Sequence, residues 1–186
     1  SNILNTDSDI NGNGRKVYEG YTGGNNYENG ILAMTIAGTA TPNAIVRSCG
    51  DAEVRGKIYK TVLEDMVDYL AFGQNDTYSS REGGWRYGAN YGSSDNSVSQ
   101  WPALGLAAAQ DNFSINAPSW VKTRLQNWLN YSQCSNGGFG YTSPNFWCNI
   151  AKTGAGIIEM KYAGGGGNQV NAINFIATNW GSTSYD

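Results

Sequence analysis

Asn127-Trp128-Leu129-Asn130-Tyr131-Ser132-Gln133 leads, three residues later, into Gly137-Gly138-Phe139-Gly140-Tyr141. The same succession occurs earlier in the chain. Asp68-Tyr69-Leu70-Ala71-Phe72-Gly73-Gln74 is followed, after a polar loop, by Gly83-Gly84-Trp85-Arg86-Tyr87. A third start, Asn174-Phe175-Ile176-Ala177-Thr178-Asn179-Trp180, runs into a short tail. The unit is the end of an amphipathic segment, a glutamine, then Gly-Gly-aromatic-x-Tyr. It returns at intervals of about 50 to 60 residues, a period that signals an array of supersecondary units rather than one irregular fold.

Working outward, the segments between these marks are of two kinds. Over residues 57–73 apolar side chains recur at Ile58, Val62, Met66, Tyr69 and Leu70, a helical stripe. Residues 118–132 repeat it with Val121, Leu125, Trp128 and Leu129, with Asn116 as the expected N-cap and Pro118 in the first turn. Residues 168–180 repeat it with Val170, Ile173, Ile176 and Trp180. Residues 29–39, 97–110 and 149–161 are instead small or apolar on nearly every face, which predicts helices buried on all sides. Alternation of buried and half-exposed helices predicts two layers and three hairpins, over residues 29–73, 97–132 and 149–180. The predicted fold is all-α, with an irregular N-terminal arm over residues 1–26 and a helical-hairpin domain over residues 27–186.

Composition narrows the chemistry. The 186 residues contain no histidine, so histidine triads, histidine metal sites and histidine bases are excluded. A net charge of -3 gives no electrostatic footprint for nucleic acid. The longest apolar candidate, residues 31–40, is about half of what a membrane span needs. Heavy use of Asn, Gly, Ser, Thr and Tyr, with only 15% charged residues, suggests an extracellular or cell-surface protein whose export signal has been removed. Cys134 and Cys148 flank one glycine-rich loop, and either a disulfide between them or three buried thiols, Cys49 included, fits the spacing. In the arm, Asp7-Ser8-Asp9-Ile10-Asn11-Gly12 resembles the first half of a calcium loop, with Asp7, Asp9 and Asn11 as oxygen ligands. Its twelfth position is Tyr18 rather than an acid, so a looser Ca²⁺-binding turn or a metal-free turn cluster is expected.

The glutamine and Gly-Gly-Trp/Phe-x-Tyr signature on alternating helices resembles the repeat of prenyltransferases and squalene cyclases. The run from Gly83 through Tyr87 to Trp101 is similar to prokaryotic surface-protein members of that group. The resemblance spans residues 27–180 and implies an α/α toroid. Three hairpins would make a partial one. The cyclases' Asp-x-Asp-Asp acid has no counterpart in the repeats, and the prenyltransferases' zinc site needs a histidine, so the chemistry does not carry over.

A toroid of this kind would gather Trp85, Tyr87, Trp101, Phe139, Tyr141, Phe146 and Trp147 at its mouth, with Asp95 at the start of the second inner helix. Those rings either line a pocket for a sugar or isoprenoid, or plug the hairpin turns. Asp95 is read as a helix cap, with Glu82 and Glu159 as the partner carboxyls that acid–base chemistry would require. These features point to a non-enzymatic extracellular structural protein that associates with copies of itself. The alternative is an enzyme or ligand-binding module, cyclase-like or polysaccharide-binding, that uses an aromatic cavity.

Overall fold

A computed structural model of the chain describes residues 2–5, 15–18, 26–49, 52–76 and 80–182, with the backbone alone for the first two stretches. The fold is all-helical in its repeat region. Six helices run α1 (Asn26–Gly38), α2 (Tyr59–Gly73), α3 (Asn96–Phe113), α4 (Ser119–Ser132), α5 (Ile150–Ala163) and α6 (Gln169–Asn179). Helices α1 and α2 pack as one expected hairpin and α5 and α6 as another, whereas α4 lies against α5 rather than against α3. The arm departs from expectation: β1 (Asn2–Asn5) and β2 (Arg15–Tyr18) form an antiparallel ladder, with Asn2 opposite Tyr18 and Asn5 opposite Arg15. Two short runs carrying Ile, Leu, Val and Tyr around an Asp/Asn/Gly cluster are a hairpin pattern. Strand β2 runs against α2.

Helices α1, α3 and α5 lie side by side, α3 in the middle. Helix α2 touches α1 and α3, α4 touches α5, and α6 touches α5. Small residues allow the inner row to close up. A Cβ on Gly30 of α1 would strike the backbone of Trp101 and Pro102, and one on Gly105 would come 2.7 Å from the Gly30 carbonyl. The inner helices are nevertheless not buried all round. In α1 the buried residues include Gly30, Ala33 and Ala37, while Met34 is half-buried and Thr35 exposed. The face turned away from the outer layer stays partly open because three hairpins leave nothing opposite it among the described residues.

The outer helices follow their stripes twice and break the rule once. Val62, Met66, Tyr69 and Leu70 are buried in α2, and Val121, Leu125, Trp128 and Leu129 in α4. In α6 the buried residues are Ala172 and Phe175, whereas Val170, Ile173 and Trp180 are 66%, 50% and 77% exposed. The stripe expected to face the core faces outward. Helix α4 also starts later than its expected cap: Pro118 holds the cap position, without a side-chain hydrogen bond, and Asn116 lies in the preceding loop.

The repeated glutamine ties one hairpin to the next. Gln74, 1% exposed, donates from Nε2 to the carbonyls of Gly83 (2.7 Å) and Val121 (2.9 Å). Gln133 does the same to Gly137 (3.0 Å) and Asn168 (2.9 Å), and its Oε1 accepts from the Asn168 N–H at 2.6 Å. Each glutamine thus joins the end of one outer helix, the glycine strap behind it and the start of the following outer helix. The straps must be glycine where they do this. Gly83 and Gly137 have φ of +91° and +92°, and a Cβ on either would meet the carbonyl of Arg124 or Asn171 in that following helix. Gln74→Ala is therefore expected to lower the unfolding free energy by about 2–4 kcal/mol, since two buried carbonyls lose their donor. The partly exposed Gln133→Ala should cost about 1 kcal/mol. Urea unfolding of the two variants beside the parent checks the ranking.

Candidate functional site

The glycine straps, Gly83 to Tyr87 and Gly137 to Tyr141, place the aromatic residues. The first ring of each strap points inward. Trp85 is fully buried, its N–H donates to Ser99 Oγ at 2.8 Å and its indole Nε1 to the Leu70 carbonyl at 2.7 Å. Phe139 is fully buried, and its N–H donates to Thr153 Oγ1 at 3.0 Å. Ser99 and Thr153 sit at matching points of α3 and α5. These two rings plug the turns and offer no surface to a ligand.

The second ring of each strap points out, and an asparagine holds it there. Asn26 opens α1; its N–H donates to the Tyr87 carbonyl at 3.0 Å and its Nδ2 to the Arg86 carbonyl at 2.8 Å. Asn96 opens α3 and repeats both bonds, to Tyr141 at 3.0 Å and to Gly140 at 2.8 Å. Its Oδ1 accepts from Trp128 Nε1 at 2.6 Å. Sequence reasoning missed these asparagines. Their signal was position: each is the first residue of an inner helix.

Around the outward rings lie two aromatic groups. Tyr27 is 6.2 Å from Tyr87 and 5.4 Å from Trp101, and Arg86 lies over the exposed Tyr91. Tyr141, Phe146 and Trp147 form the second group, with centroids 5.8 to 6.3 Å apart. Lys152 Nζ stands 5.6 Å from the Tyr141 ring and 5.8 Å from the Trp147 ring. Cys134 and Cys148 are joined in a disulfide that closes the loop between them, directly after Trp147; Cys49 stands outside the bridge. The structure thus separates the expected aromatic set. Tyr87, Tyr141 and Trp147 are presented outward with Trp101 beside them, while Trp85 and Phe139 lie in the core.

Asp95 is buried and caps α3. Its Oδ1 accepts from the Ser97 N–H at 2.7 Å, Ser97 Oγ at 2.6 Å and the Val98 N–H at 3.2 Å. Burial and then the Asp95 carboxylate push the Tyr141 hydroxyl's pKa up, with Arg86 opposing. Glu159, in α5, is fully buried and neither carboxyl oxygen has a hydrogen-bond partner. Burial first, and the charge of Asp95 second, hold its pKa well above the ordinary 4.5.

Two concavities are relevant to ligand binding. One, of about 560 Å³, lies among Met34, Leu104, Ala108, Ile158, Lys122 and Lys161. The other, of about 410 Å³, lies between the second strap and the asparagine-rich side of α6. Neither is lined by Asp95 or Glu159.

Among the described residues no group of three or more Cys, Asp or Glu is placed to hold a metal ion. Asp7, Asp9 and Asn11 lie outside the described residues, so the calcium reading rests on sequence alone. No helix among the described residues is long and apolar enough to cross a membrane. No protein-family model matches the chain, and no curated protein matches its sequence.

The raised Glu159 pKa makes stability depend on pH. The folded state holds the proton more tightly than the unfolded chain. Its contribution is full below the ordinary carboxyl value of 4.5 and is lost as pH rises through the raised folded value. Glu159→Gln keeps the shape and removes the titration. The parent's thermal midpoint should fall relative to that of Glu159→Gln as the pH is taken from about 4 to about 8. Parallel curves for the two proteins would show that Glu159 does not titrate this way.

Proposed function

We propose that this chain is a non-enzymatic structural domain, extracellular or at the cell surface, that stacks end to end with copies of itself. The observation that carries the reading is the outward stripe of α6. Through the glutamine bonds, Val121 of α4 matches Asn168 before α6. Ile173 then corresponds to Gln126 of α4 and Val67 of α2, and Ala177 to Asn130 and Ala71. Val67 and Ala71 are each 2% exposed. Gln126 and Asn130 are engaged by the α5–α6 connection: Gln126 Nε2 donates to the Ala163 carbonyl at 2.8 Å, and Asn130 Oδ1 accepts from the Gly167 N–H at 2.8 Å. On α2 and α4 these positions are covered or bonded, and on α6 they are apolar and open.

The other end supports the same reading. The connection that lies on α4 belongs to the following hairpin. The α1–α2 connection has no preceding outer helix among the described residues to lie on, and it carries Ile45 at 52% exposure. Among the described residues no connection covers the α6 face and no outer helix underlies the α1–α2 connection, so the two are proposed to meet across copies. Joining them repeats a heterologous contact, which closes into rings or extends as filaments. The Cys134–Cys148 disulfide suits an oxidising compartment. The likeness to the prenyltransferase and squalene-cyclase repeat is proposed as one of architecture, a partial toroid extended by further copies.

Sedimentation equilibrium across a wide concentration range tests the reading, with and without Ca²⁺ so that the Asp7, Asp9 and Asn11 turn is tested too. The parent should self-associate. Ile173→Asp and Ile45→Asp should each weaken association by at least about tenfold, as loss of a buried apolar contact does at an interface. An equimolar mixture of the two variants retains one intact joint and should yield dimers but nothing longer. A parent that stays monomeric throughout, or variants that associate as the parent does, would sink the proposal.

A further inference from the structure

The outward rings of the second strap have a use that stacking of hairpins leaves untouched. Trp147 is 69% exposed and Phe146 49%, with ring planes within 10° of each other. Surface of this kind contributes nothing to folding while it faces water. Yet the loop holds it in one position. Asn145 and Trp147 both adopt left-handed backbone, at φ +63° and +55°, a conformation that non-glycine residues rarely take. The Tyr141 N–H donates to the Phe146 carbonyl at 2.7 Å, and Asn145 Oδ1 accepts from the Ser135 N–H at 3.3 Å. The disulfide at Cys148 anchors the residue after Trp147. The backbone that carries these rings is thus held by hydrogen bonds and the disulfide, which lowers the cost of ordering the loop on binding.

Lys152 adds a charge to this surface. Among the described residues it has no carboxylate partner, and its contacts are the faces of Tyr141 and Trp147. On a chain of net charge -3, a cation set between the half-buried Tyr141 ring and the exposed Trp147 ring marks a place for an anion.

We propose that Tyr141, Phe146, Trp147 and Lys152 form a binding site for an acidic polysaccharide. One sugar ring lies with its C–H face on the Trp147 indole, and a uronate carboxylate pairs with Lys152. The apolar face of a pyranose matches a flat, amphipathic aromatic surface. A peptide adding as a strand would need a sheet edge of free N–H and C=O groups, and this loop presents rings instead. The site uses none of Ile45, Val170, Ile173 or Trp180, so it is independent of the stacking proposal.

Affinity electrophoresis in gels containing polygalacturonate, beside gels containing neutral hydroxyethyl cellulose, tests it. The parent and the Ile173→Asp variant should both be retarded by polygalacturonate, and less so as salt is added. Trp147→Ala should weaken retardation by at least about tenfold. Lys152→Gln should weaken it and remove most of the salt dependence. Where Trp147→Ala lowers the melting temperature, Lys152→Gln carries the test, since it keeps the side-chain stem over the rings. The proposal is overturned by any of four results: no retardation by polygalacturonate, retardation of Trp147→Ala equal to that of the parent, equal retardation by the neutral polymer, or tighter binding of a proline-rich peptide at the same rings.

Discussion

A backbone carbonyl buried between helices must find a donor, and this fold depends on how its glycine straps meet that demand. A strap of Gly-Gly-aromatic-x-Tyr has no helix or sheet to satisfy its polar groups. The glutamine at the end of α2 and of α4 supplies one donor, and the asparagine opening each of the first two inner helices supplies two more. A hydroxyl on the following inner helix takes the amide of the plugged ring. Because the glutamine and asparagine belong to one hairpin and the accepting hydroxyl to the next, satisfying the strap also fixes the hairpins' relative position. Packing of the small inner faces and striped outer faces then fills the space that these bonds define.

The sequence made the helices legible because their signals are local and periodic. The stripes Val62-Met66-Tyr69-Leu70 and Val121-Leu125-Trp128-Leu129 both face the core, and the six helices begin and end near the expected positions. The stripe Val170-Ile173-Ile176-Trp180 has the same period, but periodicity states only that one side is apolar. It does not say whether a neighbour is present to cover that side. The strands of the arm were not legible for a related reason: runs of four residues on either side of an Asp/Asn/Gly cluster are too brief to stand out.

The aromatic surface was legible by residue type and not by direction. Trp85 and Tyr87 are two positions apart, as are Phe139 and Tyr141, and the same composition serves burial at the first and exposure at the second. What separates them is the hydrogen bonding of the strap, which turns one ring beneath Ser99 or Thr153 and leaves the other above Asn26 or Asn96. Lys152 carried no sequence signal at all. It matters because the first turn of α5 comes up beside a loop whose shape is set by a disulfide and by two residues in left-handed backbone.

The connection between α5 and α6 consists of Gly164, Gly165, Gly166 and Gly167, all at positive φ. Such a run surrenders more chain entropy on folding than any other four residues would. The helix it leads to buries only Ala172 and Phe175. Both facts place α6 at the weak end of a chain of nearest-neighbour contacts, where opening begins and spreads inward. Amide hydrogens of α6 are thus expected to exchange sooner than those of α2 and α4, and a neighbour seated on the α6 face would slow them. The described hairpins are in this respect graded in rigidity, and the third is the one that an adjoining surface would stiffen most.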